Sequence, residues 1–277
     1  MLSLQQRRRQ SGFTFQELLV VMVLVVVVVA FNVPVDAASR RTARRMQNST
    51  QLRGIHQGLV TFANSNKNKF PGLDSRGNII ANGKGTTGNS GDGDTVEARF
   101  WIMLDGDYFT PEYAISPSET ANVNEVEWDG ENGTETVKWN DDIKHYSYTM
   151  LGIKGVGGEA PDNNFAGRAA EWQQTLNSQA IALSDRNAGT NATDKVDSIH
   201  SGDEGEWAGA VLWNDNHVAF EMTTQYFETK YANGRLHTDR FGEGTDNLFS
   251  SEADPGGQVG VDALMVIAGD DTVHGGE

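Results

Sequence analysis

The chain has 277 residues, with 38 Asp and Glu against 22 Lys and Arg, giving a formal net charge of -16 at pH 7. Such an acidic balance argues against a nucleic-acid partner, which needs a basic footprint. The absence of cysteine excludes disulfides, thiolate nucleophiles, Cys-based zinc sites and thioether lipid anchors. Thirty-one glycines, many beside Asn or Asp, indicate a loop-rich body, while 12 Phe and 6 Trp suffice for one core.

The first element is RRRQSGFTFQELLVVMVLVVVVVAF, residues 7–31. Leu18 to Phe31 is a run of 14 residues without charge, and counted from Phe13 the apolar-dominated segment reaches 19 residues, roughly 28 Å of helix. That length approaches the ~30 Å hydrocarbon core, so the expectation is a single membrane-spanning helix over 13–35. Arginines flank it on both sides, Arg7 to Arg9 before and Arg40, Arg41, Arg44 and Arg45 after. The first cluster usually dominates and places the amino terminus in the cytoplasm. Glu17 is the exception within the run. Its carboxylate either reaches the interface or needs a positive partner, and an amine made by cutting after Gly12 is the nearest candidate.

The stretch SGFTFQELLVVMVLV resembles the type III signal of type IV prepilins and type II secretion pseudopilins. The matching features are a short basic leader, Gly12 before the cut, Phe13 as the new amino terminus and Glu17 fifth in the mature chain. Pro34 also falls where many such helices carry a proline, whereas Phe15 and Gln16 depart from the commonest residues. The resemblance implies cleavage between Gly12 and Phe13 by a prepilin peptidase/methyltransferase, methylation of the Phe13 amine, and assembly through Glu17 and Pro34. It further implies sibling pilin-like subunits and assembly-platform proteins as partners, and a single-pass inner (cytoplasmic) membrane protein with an extracytoplasmic head. In that family the glutamate neutralises the amino terminus of a neighbour in the filament.

Past the apolar run, Leu52, Ile55, Leu59 and Phe62 recur at helical spacing and mark one stripe to be covered by the head. The helix is expected to continue to about Asn64, some 78 Å from Phe13, with Pro34 kinking or locally melting it. The domain reading is a leader over 1–12, a long helix over 13–66 and a loop-rich head over 67–277. A second resemblance covers most of the head. AARRMQNSTQLRGIHQGL followed by KFPG, then FWIMLDGDYFTPEYAISPSE, HYSYTML, AIALSDRN and IHSGDEGEWAGAVLWNDNHVAFE, is similar to prepilin-like proteins abundant in planctomycetes. Those carry a carboxyl-terminal H-x9-DG pattern. Here His200 and Asp215 are separated by 14 residues, and Asn216 stands at the glycine position.

Within the head, GAVLWNDNHVAFEM predicts a hairpin, with Val211 and Trp213 on one strand, Val218, Phe220 and Met222 on the next, and Asn214 to Asn216 turning. YSYTMLGI, QAIALSD and DALMVIAG are further strand candidates, and Phe165, Ala169, Trp172 and Leu176 suggest an amphipathic helix. The predicted fold is α+β, a long amino-terminal transmembrane and amphipathic helix packed on an antiparallel sheet. Residues 82–94 read as a glycine-rich loop, and 118–142 as an acidic, exposed hairpin insertion.

Oxygen-rich spots at Asp92, Asp94, Asp141 with Asp142, and Asp215 are candidate Ca²⁺ ligands, although no EF-hand spacing is present. The bland alternative is solvated loop acids. His200 and His217 with Asp185 or Asp215 are candidates for a metal site or acid–base pair, against hydrogen bonds that fasten loops to the sheet. No nucleophile elbow, P-loop or dinucleotide fingerprint follows a strand, so nothing makes a positive case for an enzyme. The expected function is a prepilin-like structural subunit of a filament or pseudopilus. The alternative is a membrane-anchored binding module for calcium or carbohydrate.

Overall fold

A computed structural model describes residues 12–80, 93–119, 123–128, 137–139, 144–153, 166–189, 196–200, 205–225, 227–232, 246–250 and 263–267, excluding the side chains of 29–38 and 166. The chain divides into two compact units, Met1–Ala43 and Arg44–Glu277. Helix α1, Phe15–Ser65, has 51 residues and is continuous through position 34, so no melted turn occurs there.

The expected span over 13–35 is overturned. Among the described residues no helix is long and apolar enough to cross a membrane. The physical reason lies in length: the uncharged run Leu18 to Phe31 amounts to about 21 Å at 1.5 Å per residue, well short of ~30 Å. Extending it to full thickness brings in Glu17 on one side and Asn32, Pro34 and Asp36 on the other. The transmembrane part of the predicted fold therefore fails, and the single-pass inner-membrane location fails with it.

The second unit is α+β, built on one antiparallel sheet. Its strands are β1 (Tyr148–Leu151), β2 (Ile181–Asp185), β3 (Gly209–Trp213), β4 (Val218–Glu221) and β5 (Met265–Val266), in the order β4-β3-β2-β1-β5. All four pairings are antiparallel, as the sequence predicts. The hairpin joins β3 to β4 through Asn214–His217, where Asn216 alone adopts a positive φ, +69°. Every residue of β1, β2 and β3 is buried, because both faces of the sheet are covered. One face carries Tyr148, Asp185 and Phe220 against the α1 side chains Asn48, Gln51 and Arg45. On the other, Trp207 lies over Gly209 and meets Phe249 edge-on at 5.5 Å. Leu52, Ile55 and Leu59 of α1 are fully buried, and Phe62, at the end of the stripe, packs partly buried against Tyr108.

Helix α2, Val96–Asp105, was not foreseen. Thr95 caps it, its hydroxyl accepting from Ala98 N–H, and eight of its ten residues are buried. A helix enclosed on all sides has no polar face to mark its period, which removes the usual sequence signal. The amphipathic helix through Phe165 to Leu176 is shortened to α3, Ala166–Glu171. Trp172 is fully buried just beyond it, whereas Leu176 is exposed at φ +58°, and Phe165 lies outside the described residues.

The KFPG segment is the hub between these elements. Phe70 packs edge-on against Trp172, Trp172 Nε1–H donates to the Pro71 carbonyl at 2.8 Å, and Phe70 N–H donates to Trp172 O. Gly72 has φ +95°, and a Cβ there would stand 1.9 Å from the Gly93 carbonyl oxygen, so only glycine fits. Arg99 of α2 is fully buried beside them, donating to the carbonyls of Gly93, Asp94 and Leu151, with its guanidinium 5.0 Å over the Trp172 ring. Burial lowers its pKa to about 10, opposed by the nearby charges of Asp94 and Glu97. The acidic stretch 118–142 is not simply exposed. Val126 and Val137 are buried, Trp128 and Trp139 pack against the core, and residues 120–122, 129–136 and 140–143 lie outside the described ones.

Candidate functional site

At the amino terminus Gly12 and Phe13 precede α1 and are exposed, Phe13 by 85 %. Thr14 and Glu17 form a reciprocal pair. Glu17 Oε2 accepts from Thr14 N–H at 2.8 Å and from its hydroxyl at 2.9 Å, and Glu17 N–H donates back to Thr14 Oγ at 3.3 Å. This is a capping box of the form T-x-x-E, a local partner for Glu17 that the sequence reading missed although its four letters, TFQE, spell it. From Leu18 to Val28 every side chain is apolar and between 43 and 66 % exposed. The side chain of Pro34 lies outside the described residues.

In the head, the predicted histidines and aspartates separate into two unconnected pairs. His200 Nε2 stands 2.7 Å from Asp185 Oδ2, with both side chains almost fully enclosed. His217 Nδ1 instead meets Asp215 Oδ1 at the exposed hairpin turn, where the imidazole stacks on Trp213 at 4.3 Å. The H-x9-DG positions are thus not joined here, since His200 turns to β2 and not to Asp215.

Asp185 is the centre of the larger cluster. Its carboxylate accepts from Asn48 Nδ2 at 2.8 and 2.9 Å, from Ala210 N–H at 2.6 Å and from His200. Asn48 Oδ1 in turn accepts from the Tyr148 hydroxyl at 2.8 Å. One carboxylate therefore gathers α1, β3 and the 196–200 segment, and Asn48 adds β1. His200 is further enclosed by Phe220, edge-on at 5.1 Å, with Arg45 stacked 4.3 Å from the same ring. An imidazole so covered presents no nitrogen to a substrate among the described residues, and the geometry is that of a buried tie between helix and sheet. Burial raises the Tyr148 hydroxyl well above its ordinary pKa, reinforced by the charge of Asp185, so it remains a donor.

The Ca²⁺ candidates do not converge. Among the described residues no group of three or more His, Asp or Glu is placed to hold an ion. Asp94 is buried beside the cationic Arg99, and Asp215 is engaged by His217. Asp92, Asp141 and Asp142 lie outside the described residues.

Asn48 and His56 are polar residues on the otherwise apolar stripe of α1, at helical spacing from Leu52 and Leu59, and that misplacement is the signal that could have found them. His56 is buried edge-on to Phe70, with Nε2 3.4 Å from Asn214 Oδ1. Asn214 Nδ2 donates on to the carbonyls of Glu171 and Gln173, which links the hairpin to the end of α3. Burial lowers the His56 pKa, opposed by the Asn214 and Asn216 amides and the charge of Asp215. The unfolded chain then binds a proton more readily than the fold does. Stability from this source is complete above the ordinary value near 6.5 and is lost as pH falls below it. His56→Gln is expected to remove this acid-sensitive component, read as a smaller difference between urea midpoints at pH 7.5 and pH 5 than the wild type shows.

An open cleft of about 470 Å³ lies beside α1, lined among others by Gln47, Gln51, Glu112, Tyr113 and Glu125. No family model, curated protein or solved structure matches the chain.

Proposed function

We propose that the chain is a prepilin-like structural subunit, cut between Gly12 and Phe13 and assembled through the apolar part of α1 into a filament or pseudopilus. The observation that carries this reading is the exposed run Leu18–Val28, apolar on every side of the helix, directly after an exposed Gly12–Phe13 bond. A one-sided apolar stripe suits a single partner, but a helix apolar all round requires cover on all sides. Several like helices packed together supply that cover. Partners of this kind are further copies or sibling subunits, together with the peptidase that removes the leader and the platform that assembles the products.

The test is intact mass of the protein from its native host, with Gly12→Ala as control, followed by sedimentation of the mature form. A chain that begins at Phe13 with one added methyl and sediments as an assembly is the expected result, with Gly12→Ala retaining residues 1–12. A wild-type chain that keeps its first twelve residues, or stays monomeric after losing them, overturns the reading.

A further inference from the structure

The cleft beside α1, about 470 Å³ in volume, lies wholly within the second unit and is walled by separate segments. Gln47 and Gln51 come from α1, Glu112 and Tyr113 from the short 3₁₀ helix Pro111–Ala114, and Glu125 from residues 123–128. Each wall is fastened to the fold. Gln51 Oε1 accepts from the buried Tyr148 hydroxyl at 3.0 Å, Ser147 N–H donates to Ala114 O at 2.8 Å, and Asn124 N–H donates to Lys144 O at 3.0 Å. The Tyr113 ring lies so close to Gly54 that a Cβ there would stand 2.8 Å from it, yet 36 % of the tyrosine stays exposed. The recess thus presents two carboxylates and an aromatic ring on fixed backbone, and none of its described lining residues is basic.

The charge that fits it stands elsewhere on the same chain. Residues 46–277 carry 36 Asp and Glu against 15 Lys and Arg, whereas Arg40, Arg41, Arg44 and Arg45 fall within six residues. Arg45 is engaged over Phe220, but Arg40, Arg41 and Arg44 are exposed. No ion pair among the described residues involves those three, Glu112 or Glu125. A guanidinium is planar, so it can lie on an aromatic face while its edge donates to carboxylates.

We propose that the cleft receives the arginines of residues 40–44 from a second copy of the chain, stacked on Tyr113 and paired with Glu112 and Glu125. The contact rests on the prepilin reading and deepens it, naming a head contact that accompanies packing of the apolar runs. Gathering those runs together requires parallel helices, and parallel helices in register would set arginines against arginines. Arg44 and Gln51 are seven residues apart on α1, roughly 10 Å, so a neighbour displaced by that length along the helix brings its Arg44 level with the cleft. The two patches are different surfaces, which makes the contact heterologous. Each copy offers its cleft to one neighbour and its arginines to another, so the series continues where a mutual pair would close.

The mature full-length chain would be compared with two double variants, Glu112→Arg with Glu125→Arg and Arg41→Glu with Arg44→Glu. Sedimentation would be followed over a concentration series at about 0.15 M salt, where exposed charges still interact over ~8 Å. All four substituted side chains are exposed, so thermal unfolding of the head is expected to match wild type. Each double variant alone is expected to need at least about tenfold more protein to sediment, because reversal sets like charges together. An equimolar mixture of the two is expected to recover wild-type sedimentation, since every cleft then meets its opposite charge. If either variant alone sediments as wild type does, or if the mixture restores nothing, the docking is wrong while the prepilin reading stands. A wild type that keeps residues 1–12, or that goes no further than pairs once they are lost, removes both.

Discussion

Replacing Asp185 with alanine is expected to lower the stability of the full-length chain by about 3 to 5 kcal/mol, measured by urea unfolding followed through tryptophan fluorescence. The carboxylate is fully buried and accepts from Asn48, His200 and the Ala210 amide, so its removal leaves three donors from three segments without an acceptor. Each unsatisfied buried donor costs about 1 to 3 kcal/mol, and water has no room to replace the lost oxygen atoms in a layer where β1, β2 and β3 are enclosed on both faces. Asp185→Asn, which keeps one accepting oxygen, is expected to fall between wild type and alanine. A loss below about 1 kcal/mol for the alanine variant would mean that the cluster does not tie α1 to the sheet. His200→Ala, tested alone, should cost less than Asp185→Ala, because Asn48 and Ala210 keep their acceptor.

Trp172→Ala is expected to have an effect of comparable size, about 3 to 5 kcal/mol, by the same measurement. The ring fills the space between KFPG and α2, packing on Phe70 at 5.2 Å and under the Arg99 guanidinium. Its loss opens a cavity and also takes the aromatic face from a buried cation. Trp172→Phe keeps a ring there but drops the Nε1–H bond to Pro71 O, so a smaller loss of about 1 to 2 kcal/mol should result. If the two variants prove equal, the hydrogen bond and not the packing dominates at this position.

These two residues illustrate what was readable in advance. Trp172 belongs to the apolar spacing Phe165, Ala169, Trp172 and Leu176 and is fully buried, yet the helix that spacing suggests ends at Glu171, before it. Burial followed from side-chain chemistry and survived the error in local structure. Asp185 was named beside His200 among several pairings, and nothing in the spacing could select it. The carboxylate is 15 residues from His200 and 137 from Asn48, and contacts at that separation depend on how the strands align.

The membrane span shows the opposite error. Phe13–Phe31 is apolar in composition, but its uncharged length is too short to cross a bilayer. For Glu17 the sequence suggests the interface or a newly cut amine, whereas the structure gives it Thr14, three residues away.

What the amino-acid sequence determined alone was every feature set by near neighbours. The hairpin of β3 and β4, the apolar stripe from Leu52 to Leu59 and the T-x-x-E cap all follow from spacings of a few residues, where sterics and hydrogen bonding act directly along the chain. What only the tertiary structure decided was which polar residues share the interior. Asn48 with Asp185 and His200, His56 with Asn214, and Arg99 over Trp172 each join remote segments, and α2 is a helix enclosed by the core and thus without a polar face. Burial makes an unpaired polar group costly, so the fold must supply a partner for each, but which partner arrives depends on the order and register of the sheet.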